Sequence, residues 1–418
     1  MFNLGENNNG FGIGDYMINN SKHEKYNWDS GSFYLAISCS GGKKESADAG
    51  LELTEDSVVY LLADNVTLGI KALFPFIDKD GHEYLTFQNQ LEPEICVYDL
   101  QSGEFVKSIF FDREGANGVG MFGGYHIIDF DEIYLPSLQQ SKVFVMEESG
   151  KKKREIITEK TDDGIPLLPF GAITFAYRPI YFNNGKMYIP QTINMRLGNK
   201  VMEKSPVYVV VDTVKNVLSP FPIKFPPIMS SDDVTKPSLG NELSYSCCLN
   251  DKDQFVFSFF FDEDIYVVSL QDGEMKKIKV KSRYIDKPAI KENPPQDFDG
   301  AMKASSEIPC YGNLIYDKYR KVYYRFVYLK ADLDGEKNYL NIWQYGRKSF
   351  SIMILNEDFD VIGETRFSDF TYISTLHYIG KDGLYLSDSH YKNPSFDENK
   401  LRFRRFKSVS YTHLRAHE

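Results

Sequence analysis

Short apolar and aromatic runs alternate with polar turns along most of the chain. One pattern, a polar turn followed by a short strand-like run, occurs six times, at spacings of 50 to 68 residues by subtraction of its central positions, Tyr84, Tyr134, Tyr188, Val256, Tyr323 and Tyr385. Gly, Asp and Asn supply turn geometry, and β-branched and aromatic residues fit a pleated, half-buried strand. Another apolar run precedes each turn. Five copies continue into a second hairpin, as at 95–111 and 265–281.

Each repeat therefore predicts about four antiparallel strands, and recurring four-stranded units are typical of a β-propeller. We predict an all-β fold with six blades, and no helical period is visible between the units. Seven blades remain an alternative because 282–311 is long and unassigned. A β-sandwich or two β domains is the other alternative, but the regular spacing without a composition break disfavours two domains.

The last repeat supplies only three strands and ends in LRFRRFKS. We expect residues 52–62 to form its fourth strand beside 399–407, because a strand from the other end of the chain would close the ring and remove its open edges. Residues 51–408 would then form a single domain.

Both ends of the chain stand apart from this pattern. Residues 34–45 read YLAISCSGGKKE, in which a short apolar run, Ser38, Cys39 and a flexible tether resemble the lipobox of a bacterial lipoprotein. The resemblance implies lipidation at Cys39, although the apolar run is shorter than a complete signal core. We therefore interpret 1–50 as a misassembled or disordered leader. Residues 409–418 read VSYTHLRAHE, which matches the translation of a common sequencing adapter, so we interpret them as an artefactual tail.

Composition excludes several classes of protein. The 418 residues carry 59 acidic and 48 basic side chains and a net charge of -11, which argues against nucleic acid as a partner. Five cysteines are too few for a disulfide scaffold of this length. No apolar run reaches the length of a membrane-spanning helix. The expected protein is a packed, monomeric domain that meets a membrane only through a lipid anchor.

Three segments carry a resemblance to a known family. They are FFDREGANGVG at 110–120, PIYFNNGKMYIPQ at 179–191 and LIYDKYRKVYYRF at 314–326. Together with the lipobox-like cysteine, they resemble six-bladed propeller lipoproteins of unknown function from Gram-negative gut bacteria. The resemblance implies a periplasmic or cell-surface location for the parent family. It brings no catalytic residues with it.

No motif establishes a chemistry. GANGVG at 115–120 precedes a strand-like run rather than the helix that a phosphate loop needs. Asp332 and Asp334 have calcium-loop spacing, but the position that needs a glutamate is Trp343. Asp388 and His390 are two apart and would share one face of a strand, as an acid/base pair, half a metal site or a polar strand end. The adjacent Cys247 and Cys248 should point to opposite faces.

We therefore expect a non-catalytic envelope protein that binds a glycan, a peptide, another small molecule or a partner protein, with no cofactor and no metal. A propeller-fold hydrolase, lyase or lactonase and an intracellular scaffold are the alternatives. The long loops should all emerge on one face, and long loops on a rigid scaffold commonly carry binding sites. The candidate ligand-binding residues near that long-loop face are Arg113, Asn117, Gln191, Arg325, Asp388 and His390. The alternative for each of them is a tie between blades.

Overall fold

A computed structural model describes residues 49–410, apart from 63–65, 71, 169–171, 193–203, 216, 226–243, 287, 289–294 and 296. The proposed leader with Cys39 and residues 411–418 lie outside the described residues. The strands, in chain order, are β1 (Ala49–Leu61), β2 (Leu73–Ile77), β3 (Glu83–Gln88), β4 (Glu94–Asp99), β5 (Phe105–Phe110), β6 (His126–Asp129), β7 (Glu132–Pro136), β8 (Lys142–Met146), β9 (Lys152–Ile157), β10 (Tyr181–Asn183), β11 (Lys186–Pro190), β12 (Tyr208–Asp212), β13 (Val217–Pro220), β14 (Tyr245–Leu249), β15 (Gln254–Phe259), β16 (Asp264–Ser269), β17 (Met275–Lys279), β18 (Cys310–Asp317), β19 (Val322–Tyr328), β20 (Phe350–Leu355), β21 (Val361–Arg366), β22 (Ile373–Gly380), β23 (Gly383–Ser387) and β24 (Lys400–Ser410).

The strands form antiparallel sets of four in chain order. β2–β5, β6–β9, β10–β13 and β14–β17 are four separate sheets. β18–β21 form a further set, and β22, β23, β24 and β1 form another. A single parallel bridge between Ala49 and Gly363 joins these last two sets into one eight-stranded sheet. The fold is all-β and propeller-like, as the repeats predict.

The pairing of β1 with β24 confirms the expected meeting of the two ends of the domain. Leu61 lies opposite Lys400 and Leu51 opposite Ser408, with a bulge between Leu53 and Ser57. β24 continues to Ser410, which lies opposite Ala49. The first two residues of the segment that we interpret as adapter therefore belong to a paired strand.

The junction of the two merged sets requires a glycine. A Cβ atom at Gly363 would lie only 1.7 Å from the carbonyl oxygen of Ala49. Because no side chain fits in that space, the absence of one at residue 363 is what lets β1 approach β21.

Burial follows the position of a strand within its set. The two middle strands of a set are nearly continuous apolar runs, such as EICVYD in β4 and KVFVM in β8, and both of their faces are buried. In the last strand of a set, buried and exposed residues alternate or most residues are exposed, as in KKREII of β9 and MKKIK of β17. Lysine-rich outer strands protect a sheet from pairing with another chain.

Hydrophobic clusters fill the spaces between consecutive sets. Phe76 and Phe144 belong to a cluster formed by β2–β5 and β6–β9. Similar clusters follow along the chain, each with residues from two successive sets. A further cluster contains Tyr60, Tyr98 and Phe403, so it joins the last set to the first. The core is therefore distributed around a ring of sheets.

Two helices among the described residues lie in connections where the sequence shows no helical period. They are α1 (Phe298–Glu307) and α2 (Tyr339–Tyr345), which lie in the long connections before β18 and before β20. Asp297 caps α1 by accepting a hydrogen bond from Gly300 N, and Asn338 caps α2 in the same way. The buried residues of α1 are alanines and serines. Such small residues give no visible stripe of large apolar side chains, so the pattern missed the helix.

Candidate functional site

Arg325, one of the six predicted site residues, is fully buried and ties two sets of strands together. Its guanidinium donates hydrogen bonds to Ser258 Oγ (3.0 Å) and to the carbonyl oxygens of Asp262 (2.7 Å), Glu263 (2.7 Å) and Val280 (2.9 Å). It also lies 3.6 Å from the centre of the Tyr311 ring. Burial lowers the pKa of Arg325 to about 10. These contacts leave no exposed surface for a ligand.

Asp388 and His390 follow β23 but do not form a pair. The Asp388 carboxylate accepts a hydrogen bond from Arg402 Nε at 2.6 Å. His390 is fully buried, with Nε2 3.3 Å from the carbonyl oxygen of Gly346 and Nδ1 accepting from Lys392 N. Burial lowers the pKa of His390 to about 4. Both side chains hold local structure.

Of the other three predicted residues, Arg113 and Asn117 lie in the connection between β5 and β6, and Gln191 directly follows β11. Exposed Arg113 pairs with Glu92 at 2.9 Å, and Asn117 accepts a hydrogen bond from Lys152 N. Gln191 is buried, and its Oε1 has no hydrogen-bond partner among the described residues. The long loops between 193 and 203 and between 226 and 243 lie outside those residues, so a site on the long-loop face stays a prediction.

Two groups of carboxylates have the spacing of metal ligands. Glu307, Asp332 and Asp334 lie close together, but Lys303 forms ion pairs with both Glu307 and Asp334. The second group, Asp78, Asp80 and His82, occupies an exposed hairpin turn. There Asp78 accepts hydrogen bonds within its own turn, which lower its pKa. Local contacts account for both groups, and neither is evidence of a metal site.

A central cavity of about 380 Å³ is the strongest candidate site among the described residues. Its walls come from the first strands of successive sets: β2, β14, β18 and β22, together with Tyr181 of β10. Phe74, Phe76 and Ile315 are among the apolar side chains that line it. The volume lies within the range of ordinary small-molecule sites.

The rim of the cavity is formed by short turns that follow the first strands. Ile77, Lys318, Tyr319 and Lys381 line the cavity there and are exposed, so the cavity opens on this short-turn face. None of the six predicted site residues lines it.

Three charged residues line the cavity. The charged residues that line the cavity are Lys318, Lys381 and Glu83. Lys381 Nζ lies 2.5 Å from the Glu83 carboxylate, and this pairing raises the pKa of Lys381. Lys318 has no carboxylate partner among the described residues, and its ammonium lies 5.2 Å from the centre of the Tyr319 ring. The same turns also carry Asp78, Asp80 and Asp382, so charges of both signs surround the mouth.

Arg320 fixes the position of these turns. Its guanidinium donates to the carbonyl oxygens of Gly380 at 3.0 Å and of Lys381 at 2.9 Å, and it pairs with buried Asp317. The turn that carries Lys318 is therefore held against the turn that carries Lys381.

His377 supplies a buried polar group to the cavity wall. It is 4% exposed, and its ring lies 5.0 Å from that of Phe326. Nδ1 is 3.1 Å from the carbonyl oxygen of Ser374, which also accepts from Asn313 Nδ2. Nε2 is buried with no hydrogen-bond partner among the described residues. Burial lowers the pKa of His377 to about 4, so the ring is neutral at pH 7.

The position of the proton on His377 follows from its contact with Ser374. A carbonyl oxygen can only accept, so Nδ1 must carry the proton. Nε2 then carries an unused lone pair, and its burial leaves no accessible surface at this atom for a ligand. The sequence patterns did not single out His377. Its chemistry depends on a bulge in β22 between Ile373 and His377, which the sequence does not reveal.

The two adjacent cysteines lie as expected. Cys247 packs in one hydrophobic cluster and Cys248 in another, so their side chains point to opposite faces of the sheet. Both are free thiols, and burial raises the pKa of Cys247 to about 12. They are core residues.

Comparison with known proteins gives a family and a fold. A family model described as a domain of unknown function, DUF4221, matches residues 50–366. A comparison with curated proteins found no match. The crystal structure of a DUF4221 member from Bacteroides vulgatus is 25% identical and has a TM-score of 0.74, covering 88% of this chain and 100% of that chain.

More distant structures are also similar in part. One is a Bacteroides fragilis protein assigned as exported, 12% identical with a TM-score of 0.48, which covers 85% of this chain and 95% of its own. Another is an inactive virginiamycin B lyase from Staphylococcus aureus with quinupristin, at 9% identity and a TM-score of 0.39, covering 86% and 99%. Within the described residues, no helix has the length and apolarity needed to cross a membrane. Because the family model spans about three quarters of the sequence, the chain belongs to the DUF4221 family.

Proposed function

We propose that this protein is a non-catalytic binding module that holds a small ligand in its central cavity. The observation that carries the proposal is the cavity itself, a space of about 380 Å³ with mainly apolar walls and a few polar and charged residues at its mouth. Pockets with mainly apolar walls and a few convergent polar groups are the usual form of small-molecule sites.

The number of blades and the anchor belong to the same proposal. Six blades are supported by the four-stranded sets and by the cluster that joins the last set to the first. An envelope location with a lipid on Cys39 is supported by the lipobox-like sequence, and an artefactual tail at 409–418 by the adapter-like string.

A ligand screen with a blocked cavity tests the proposal. Ala176 lines the cavity, so Ala176→Trp should fill it, whereas Ala176→Ser is the matched control of similar size. Neutral oligosaccharides, short peptides, divalent metal ions and apolar acids are tested by the shift in melting temperature. We expect at least one class to stabilise the wild type and the Ser variant but not the Trp variant. If no class does so, the cavity is not a binding site.

The same screen examines the alternatives. Product formation from a ligand that binds the wild type would favour the propeller-fold enzyme. Binding that survives Ala176→Trp but is lost in Gln191→Ala or Arg113→Ala would move the site to the long-loop face. Those two residues are the better probes there, because Arg325 has a structural role.

A further inference from the structure

We infer that the cavity binds a short peptide in an extended conformation, which pairs with the free edge of β2 through backbone hydrogen bonds. This ligand class rests on the proposed function and makes it more specific. Three features carry it: the way in which the first strands line the cavity, the unpaired backbone groups of β2, and the apolar side chains beside them.

The first strands of the sets turn their edges towards the cavity, and not their faces. All five residues of β2, from Leu73 to Ile77, line it, as do the consecutive residues 247–249 of β14, 314–316 of β18 and 377–380 of β22. Because alternate side chains of a strand point to opposite faces, a wall formed by one face of a sheet would contain only every second residue. β2 is also an edge strand of its sheet. Backbone N–H and C=O groups therefore face the cavity.

In β2, the residues that direct their backbone groups to the cavity are Leu73, Pro75 and Ile77. On either side of the strand, the carbonyl oxygen of Ala72 and the N–H of Asp78 form hydrogen bonds of 3.1 Å to the chain of β3, so the even-numbered positions belong to the β2–β3 ladder. The register of that ladder has no bulge, so the odd-numbered positions face away from it. A proline inside a strand fits such a position, because it has no N–H to offer to a ladder.

In β14 and β18, by contrast, backbone groups that point away from the ladder already have partners. Cys247 N donates to the carbonyl oxygen of Tyr177 at 3.1 Å, and the carbonyl oxygen of Cys247 accepts from Tyr181 Oη at 3.2 Å. Leu314 N donates to Ser246 Oγ at 2.8 Å, and that hydroxyl lies 3.2 Å from the carbonyl oxygen of Leu314. The chain itself satisfies these edges.

The edge of β2 has no such partners among the described residues. The N–H and C=O groups of Ile77 and the C=O group of Pro75 form no hydrogen bond there, and both residues are exposed. Water or a ligand must therefore satisfy these groups. An unpaired strand edge is a template for an added strand, and extended peptides bind proteins in this way.

The walls beside this edge favour apolar or small side chains on the peptide. Phe74 and Phe76 of β2 and Ile379 of β22 line the cavity, and a charged side chain would lose hydration against them. From Leu73 to Ile77, β2 spans four residue steps, or about 13 Å. A tripeptide with an acetyl and an amide cap has a backbone of similar length. The probes are therefore acetyl-Ala-Ala-Ala-amide, acetyl-Val-Ala-Val-amide and acetyl-Phe-Ala-Phe-amide.

Calorimetric titration of the full chain with N-methylated peptides tests the backbone pairing. The tightest-binding probe is prepared in two further forms, one methylated at the backbone nitrogen of its second residue and one at that of its third. Each form lacks one donor, but only one of the two nitrogens can face β2, because the N–H groups of a strand alternate in direction. We expect one form to bind about tenfold more weakly and the other about as well as the parent peptide. Equal weakening of the two forms, or none, would overturn the pairing.

A proline substitution tests the place of the pairing. Ile77→Pro removes the N–H that faces the cavity, and Val59→Pro is the matched control, because Val59 of β1 also directs its N–H away from its ladder but does not line the cavity. We expect Ile77→Pro to weaken the best probe about tenfold and Val59→Pro to leave its affinity unchanged. Equal affinities for the two variants would show that the peptide does not bind to β2.

A second variant decides the place if Ile77→Pro does not fold. Pro75→Ala adds a donor that faces the cavity, so it should tighten the binding of the best probe about fivefold, and an unchanged affinity would exclude β2. If no peptide binds while another class of ligand binds in a manner blocked by Ala176→Trp, the peptide class is wrong and the cavity proposal stands. If no class of ligand is blocked by that substitution, both proposals fail.

Discussion

At the scale of single residues, the described part of the chain contains two buried arginines that differ in how many of their N–H groups have hydrogen-bond partners. Arg325 has four hydrogen bonds to buried oxygens and a close tyrosine ring. Arg178 is 3% exposed, donates to Thr192 Oγ1 and lies 4.7 Å from the centre of the Tyr245 ring, but its Nε has no partner among the described residues. Their contributions to stability should therefore differ.

We expect Arg325→Met to lower the free energy of unfolding by about 4 kcal/mol, because it leaves several buried acceptors without donors. Arg178→Met should cost only about 1 kcal/mol, since it removes the hydrogen bond to Thr192 Oγ1 and keeps most of the packing. Chemical denaturation of the two variants beside the wild type measures both values. Equal losses would contradict the structural role assigned to Arg325.

The buried histidines should make the protein sensitive to acid. The pKa values of His377 and His390 are each about 4 in the folded protein, below the usual value near 6.5. As the pH falls, these histidines take up protons in the unfolded chain at a higher pH than in the folded protein. The free energy of unfolding therefore has its full value above about pH 6.5 and falls as the pH drops towards 4. Each histidine should cost roughly 2 kcal/mol at pH 5. Melting temperatures at pH 7 and pH 5 test this, and His377→Gln should reduce the difference; an unchanged difference would be contrary evidence.

At the scale of elements, the contribution of β1, the strand that closes the ring beside β24, can be tested through its backbone hydrogen bonds. Leu62 N donates to the carbonyl oxygen of Asn399, whereas the carbonyl oxygen of Leu61 accepts from Tyr98 Oη on the other side. Alternate residues of a strand point to opposite sides, so Val58 directs its N–H to β24 and Val59 directs its N–H away.

A proline at each of these positions should therefore have a different effect. Val58→Pro removes a ladder hydrogen bond and should destabilise the protein by about 3 kcal/mol. Val59→Pro places the same ring one residue further along, where no ladder bond is lost, and should be tolerated better. Thermal unfolding followed by circular dichroism compares the two. Similar losses would mean that the contact of β1 with β24 contributes little to stability.

Much of the element pattern could be predicted from the sequence, because turn chemistry and strand composition are local properties. The hairpin of β10 and β11 is an example: Asn184 and Gly185 both have positive φ, as the two-residue turn of a hairpin requires. Helix α1 was missed because small residues form its buried face. The cavity was not predicted, because the long loops indicated a site on the opposite face of the molecule. Lys318 and Lys381 lie in short turns, and these turns come together only when the strands close into a ring.

At the scale of the whole molecule, the sets of strands form one continuous ring. Each cluster of the core is shared by two sets, and the cluster around Tyr60 and Phe403 joins the end of the domain to its beginning. The cavity walls come from several sets at once, so the cavity exists only if the ring is closed. Stability and binding should therefore depend on closure and not on where the chain begins.

A circular permutant tests this dependence. Ala49 and Ser410 lie opposite each other in the β1–β24 pair, so a linker of about three residues can join them. New ends placed at the exposed turn of Gln271 and Gly273, between β16 and β17, should leave a folded protein with a single unfolding transition that keeps the binding blocked by Ala176→Trp. Opening the chain within β15 at Val256, which is fully buried, is the control that should not fold. Loss of the cooperative transition in the first permutant would show that the ring depends on the native order of its strands and not on closure alone.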